Sequence, residues 1–223
     1  MGWARCPVPR LLSTGVSTTP DETGREIFTA MNEATFDLPF TLETDLERRI
    51  AADPAWQQGV VWGEPRTGHL EGPIMYHIAD ILANIDRQNP PPEIRRELRL
   101  IALIHDTFKY RVNEQKPKIG TNHHAYIARQ FAEKYIHDPI LLDIIELHDE
   151  AYNSWRLGNF KNRWEHADER IDNLLKRLGS SLPLYVRFFL ADSQTTSKDK
   201  RPVEWFLNLL RRKGLESAIP THY

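Results

Sequence analysis

The sequence predicts an all-α fold, and three observations carry that prediction. From Pro73 onward, apolar residues recur at helical spacing in one segment after another. Prolines, and Gly179, stand where helices should start and stop, and no alternating strand pattern with Asn-Gly or Asp-Gly turns occurs. With 223 residues and no internal repeat, the expected architecture is a single helical domain over residues 21–223 behind a flexible tail of residues 1–20.

The tail mixes Pro, Ser, Thr and Gly without periodicity. A first helix is expected over Asp21 to Phe36, where Ile27, Phe28 and Met31 share a face, and a second over Thr41 to Ala52, with Leu42, Leu46 and Ile50 spaced four apart. Residues 53–73 carry Pro54, Gly59, Gly63, Pro65, Gly68, Gly72 and Pro73, so a long loop of the kind that serves as a lid is expected for most of that span. Ile74, Ile78, Ile81, Leu82 and Ile85 then form one stripe, and Ile94, Leu98, Ile101 and Ile104 form the next, with Arg95, Arg96 and Arg99 on the opposite, solvent-facing side. Further helices are expected over Tyr126 to Tyr135, Ile140 to Leu147, Trp164 to Leu178, Leu184 to Leu190 and Val203 to Leu210, with a basic linker between Trp155 and Trp164. Pro73, Pro92, Pro139 and Pro202 sit at first-turn positions, Asn122 suits an N-cap, and Gly179 follows Lys176-Arg-Leu as a C-terminal stop.

Composition narrows the function classes. The chain has 29 Lys+Arg against 31 Asp+Glu, a formal charge of −2, which argues against a protein that coats nucleic acid. No apolar stretch approaches the roughly 20 residues needed to span a bilayer, and no apolar secretion segment opens the chain, so a cytoplasmic location is expected. The single cysteine, Cys6, excludes an internal disulfide and any cysteine-rich zinc cluster. Nine histidines leave imidazole and carboxylate as the available metal-binding groups.

Those groups interrupt the apolar stripes. His77 lies in Met75-Tyr-His-Ile-Ala-Asp; His105-Asp106 ends Leu100-Ile-Ala-Leu-Ile; His148-Asp149 ends Leu141-Leu-Asp-Ile-Ile-Glu-Leu; Asp192 ends Val186-Arg-Phe-Phe-Leu-Ala; His123-His124 opens the segment with Ile127 and Phe131. One histidine on an apolar helix is ordinarily a hydrogen-bonded core residue. Five interruptions argue otherwise, because each buried charge costs several kcal/mol unless paired or metal-bound, and helices of one bundle can bring such residues to a common point. The donor set suits one or two divalent ions among Mn, Fe, Zn, Co and Ni, with Mg possible where waters fill most of its shell.

The order His77, His105-Asp106, Asp192 resembles the H…HD…D signature of the HD-domain superfamily of metal-dependent phosphohydrolases, over about residues 70–210. His124 and His148 between them resemble the H…HD…H…H…D version, which in such families holds two metals. The resemblance implies an HD-domain-like helical bundle in which His77, His105, Asp106 and Asp192 bind one ion, Asp106 bridges to a second, and His124 and His148 complete the second site. His124 is preferred to His123 because Ala128, four residues on, falls where the family has a small residue. His105-Asp-Thr-Phe-Lys109 matches the family's His-Asp-x-x-Lys segment, whose lysine faces the scissile phosphate in phosphohydrolase members. The segment His148-Asp-Glu-Ala-Tyr lacks the Gly-Tyr-Pro of cyclic-dinucleotide phosphodiesterases.

The implied function is hydrolysis of a small phosphorylated substrate, such as a nucleotide, by a metal-activated hydroxide, with Asp106 and Lys109 at the reacting centre. Between Lys109 and Lys118 stand four basic residues and one acid, Glu114, so Arg111, Lys116 and Lys118 are candidates for further phosphate contacts beside Lys109, although a solvated loop accounts for them equally well. Glu71, in the loop before His77, is a candidate general acid or outlying ligand of the site, though a surface carboxylate is the commoner case. The run Ser197-Lys-Asp-Lys-Arg201 follows Asp192 closely and is a candidate for substrate contact, though a charge run at a helix entrance is more often just solvated. Two rival readings share the ligand pattern: an HD-fold mixed-valence di-iron oxygenase, and a non-catalytic metal-bound module that senses a nucleotide.

Overall fold

In the computed structural model, the described residues are 37–65, 70, 72–195 and 198–221; the expected tail, the helix over Asp21 to Phe36, Cys6 and Glu71 lie outside them. Ten α-helices and no strand occur among the described residues, which is the all-α class expected. They are α1 (Asp45–Ala51), α2 (Pro54–Val60), α3 (Ile74–Arg87), α4 (Pro92–Ile104), α5 (His124–Ala132), α6 (Pro139–Leu147), α7 (Glu150–Lys161), α8 (Trp164–Leu178), α9 (Leu182–Ser193) and α10 (Arg201–Arg212). Asp37–Tyr223 clusters as one unit.

The centre of the bundle is α3, α4 and α9, packed pairwise, with α6 also against α4. Ile78, Ile81 and Ile85 of α3 and Leu98, Ile101, Leu103 and Ile104 of α4 are fully buried, as the stripes require. Polar ties fix the register: Asn84 Nδ2 donates to the Ala191 carbonyl (2.7 Å) and Gln88 Nε2 to the Arg187 carbonyl (2.9 Å), so α3 and α9 hold one relative height.

Two helices lie where the sequence suggested none. In the presumed loop 53–73, Asp53 caps Ala55 N and Pro54 stands in the first turn, so this proline starts α2 rather than breaking structure. Trp56 anchors α2, its indole donating to the Leu103 carbonyl (2.7 Å). At Gly59 an added Cβ would stand 2.0 Å from the Thr107 carbonyl oxygen, so only glycine lets α2 approach the corner that follows α4. The expected linker between Trp155 and Trp164 is mostly α7. Its buried side is made of small residues, Ala151, Ser154 and Gly158, with Trp155. A Cβ on Gly158 would meet the Trp164 ring at 2.1 Å, which is how closely α7 and α8 pack.

Smaller departures have local causes. His123, not Asn122, caps α5 by accepting from Ala125 N; Asn122 instead receives Asn113 N and donates to the Pro117 carbonyl, closing the preceding loop. Arg99 is buried, not solvated, because α1 lays Glu47 against it and the two pair at 2.8 Å. Arg95, partly exposed, pairs with Glu43 and Asp86.

Candidate metal centre

Five helix ends bring the polar interruptions together. His77 lies in the first turn of α3; His105 caps the C-terminus of α4 and Asp106 follows; His124 opens α5; His148 caps α6 and Asp149 follows; Asp192 is near the end of α9. The corner after α4 is held by Thr107 Oγ1 donating to the Leu103 carbonyl (2.8 Å). The corner after α6 is held by the buried Tyr185, whose hydroxyl receives Ala151 N at 3.2 Å and lies 3.2 Å from the Leu147 carbonyl.

Asp106 is the meeting point, with one carboxylate oxygen on each side. Oδ2 lies 3.6 Å from His77 Nε2 and 3.5 Å from His105 Nε2. Asp192 Oδ1 joins that side, 3.0 Å from His77 Nε2 and 3.9 Å from His105 Nε2. Oδ1 of Asp106 lies 3.2 Å from His124 Nε2 and 3.4 Å from His148 Nε2. The trios His77/His105/Asp106 and Asp106/His124/His148 each offer ligand atoms mutually within 4.8 Å. His123, His124 and Asp149 form a third such trio, with the His123 ring 4.4 Å from that of His124.

The donors suit a divalent cation. His105 Nδ1 faces the Ala102 carbonyl (3.0 Å) and His148 Nδ1 the Ile145 carbonyl (2.8 Å), so these nitrogens carry hydrogen and each Nε2 is turned inward. His105 Nε2 is buried without a hydrogen bond among the described residues, as a lone pair awaiting a cation would be. Burial pushes the His105 imidazole down to about 3, outweighing Asp106 and Asp192, so it stays neutral. Burial also disfavours charge on His148, yet Asp149 and Asp106 beside it prevail and raise it to about 9. Burial would raise Asp106 and Asp192, but Lys109 with His105, and Lys198 with His77, hold them well below the usual carboxylate range.

The remaining candidates are distributed unevenly. Lys109 Nζ bonds Asp106 Oδ2, and although burial opposes its charge, Asp106, Asp149 and Asp192 raise it above the usual lysine range. Lys118 pairs with Glu114 at 2.6 Å and lines a cleft of about 740 Å³ that reaches His124 and Asp149. Arg111 folds over the Phe108 and Tyr110 rings (5.4 and 5.5 Å), and neither it nor Lys116 is in that lining. Two residues outside the expected ligand set also reach the site. Asp149 Oδ2 stands 3.2 Å from His124 Nε2, and its signal was the repeat of the His-Asp pair. Lys198, from the charge run after Asp192, reaches Asp192 Oδ1 at 2.7 Å.

Residues 74–180 match the family model of the HD domain, a span that contains His77, His105, Asp106, His124 and His148 and ends before Asp192. Neither a curated protein nor a solved structure matches the chain.

Proposed function

On the premise that the chain belongs to the HD-domain superfamily, we propose that it is a metal-dependent phosphohydrolase of small phosphorylated metabolites. Divalent cations would be held by His77, His105, Asp106 and Asp192 on one side and by Asp106, His124 and His148 on the other. The two-sided Asp106 carries this reading: a single buried carboxylate offers one oxygen to each imidazole pair, an arrangement a hydrogen-bonded structural core has no need of. Bound there, the cations would supply a water of lowered pKa and positive charge against the phosphoryl oxygens.

The chain's own groups do the rest. Neutral His105 keeps its Nε2 lone pair available at any pH near neutrality. Lys109 holds a fixed positive charge against Asp106 and, with a phosphate in the cleft, swings to an anionic oxygen of the substrate. Asp149 and His124 border the cleft, so the substrate approaches from the α7 side.

Metal analysis followed by phosphate release from p-nitrophenyl phosphate and a nucleotide panel tests the reading. The expected result is phosphate release in Mn²⁺ or Co²⁺ and none after chelation. A coloured iron form that consumes O₂ without releasing phosphate would assign the oxygenase chemistry instead. Tight metal binding with silence in both assays would assign the sensing role.

A further inference from the structure

The cleft beside His124 and Asp149 has a charge imbalance that the catalytic reading does not use. Five lysine and arginine side chains and three carboxylates line it, in a chain of net charge −2. Three of the cations are neutralised locally. Lys118 pairs with Glu114, Arg170 forks onto both oxygens of Glu150 (2.8 and 2.6 Å), and Arg177 bridges Asp143 (2.7 Å) and Glu146. Arg156 and Lys161 remain. Neither faces a carboxylate among the described residues, and Arg156 lies only over the Tyr152 ring at 5.7 Å.

Both stand on α7, which starts beside Asp149 and forms one wall of the cleft. At 1.5 Å per residue, Arg156 is about 10 Å along the helix from Asp149 and Lys161 about 7 Å further. A rigid helix therefore holds two unpaired cations at a set distance from the His/Asp cluster. A guanidinium and an ammonium without protein partners in a concave site can grip an anionic group of a ligand.

We propose that Arg156 and Lys161 form a second anion subsite and that the ligand is a two-ended anion. One end is the phosphate at the His124/Asp149 border of the cleft; the other is a further phosphate or carboxylate that lies about 10 to 17 Å along α7 from Asp149. The identity of the first group rests on the phosphohydrolase reading, whereas the subsite itself rests only on the cleft and its charges.

Titration calorimetry of the full chain, metal-loaded and metal-free, with fructose 1,6-bisphosphate and fructose 6-phosphate tests the proposal. The bisphosphate binds about tenfold more tightly at low ionic strength, and salt erodes the ratio. The Arg156→Ala/Lys161→Ala double variant brings the ratio to about one, and Arg156→Lys retains part of it, because both residues are exposed and their loss leaves the core intact. Equal affinity for the two sugars, a ratio that survives the double variant, or no binding of the bisphosphate at millimolar concentration overturns the subsite. A ratio that the double variant abolishes, in a metal-loaded protein that releases no phosphate from p-nitrophenyl phosphate, the nucleotide panel or either sugar, leaves the subsite standing and refutes the hydrolase reading alone.

Discussion

The two sides of Asp106 are built differently. On the Oδ2 side, His77 and His105 are 1% and 0% exposed, emerge from the central helices α3 and α4, and include an imidazole held neutral down to about pH 3. On the Oδ1 side, His124 and Asp149 border the open cleft, and His148 keeps a proton up to about pH 9. On the first side His105 offers a buried, neutral Nε2 with no hydrogen bond among the described residues, while His77 Nε2 lies 3.0 Å from Asp192 Oδ1. The second is a hydrogen-bonded acid–imidazole cluster that must shed a proton before its nitrogens can bind a cation. The inner side thus has at least one imidazole ready for a cation, whereas His148 on the outer side must first lose a proton.

The largest expected effect comes from the residue the two sides share. Asp106→Ala should abolish cation binding on both sides and any activity with it, read by metal content and phosphate release; retention of either side's ion would split the cluster into independent sites. Lys109→Ala should keep the metal yet lower turnover by about a hundredfold or more, the scale set by removing one preorganised charge from a developing anion. Asp149→Asn should weaken the outer cation about ten- to a hundredfold while leaving the inner one in place, which chelator competition would resolve. Equal losses on both sides would contradict the division.

Proton linkage sharpens the contrast further. Cation binding to the outer side should strengthen from pH 6.5 to 9 and release a proton, seen as a buffer-dependent calorimetric enthalpy, a release in which the neutral His105 of the inner side takes no part. In the metal-free protein the raised His148 contributes stability that is complete below pH 6.5 and fades as pH rises through about 9. The lowered His105 works the other way, its unfolded form taking up a proton below pH 6.5, so stability also falls toward pH 3. The melting temperature of the metal-free chain should therefore peak near pH 6.5. The smallest effect is expected from Tyr185→Phe, about 1 kcal/mol of stability from the lost hydroxyl hydrogen bonds, with the outer cation loosened more than the inner because the hydroxyl braces the corner between His148 and Ala151.

What was legible in the sequence was the conflict between residue type and position. An apolar helix that ends in His-Asp is a local pattern, so His105-Asp106, His148 and Asp192 stood out, as did the stripes of α3 and α4. What was not legible depended on approach between distant segments. The partners Arg99 and Glu47 lie 52 residues apart, and nothing in either neighbourhood announces the other. Lys198 looked solvated until α9 set Asp192 beside it. Helix α7 escaped because its buried side is small rather than apolar, a choice that makes sense only once Trp164 is seen lying against Gly158. Helix α2 escaped because Pro54 is a breaker inside a helix but a starter in its first turn.

A single carboxylate, Asp106, is expected to join the two cation positions. Electron paramagnetic resonance of the Mn²⁺-loaded protein, with metal content measured on the same sample, addresses it directly. Two ions per chain with an exchange-coupled spectrum, lost in Asp106→Ala, is the result expected. Two magnetically isolated ions, or a coupled pair that persists without Asp106, would contradict it.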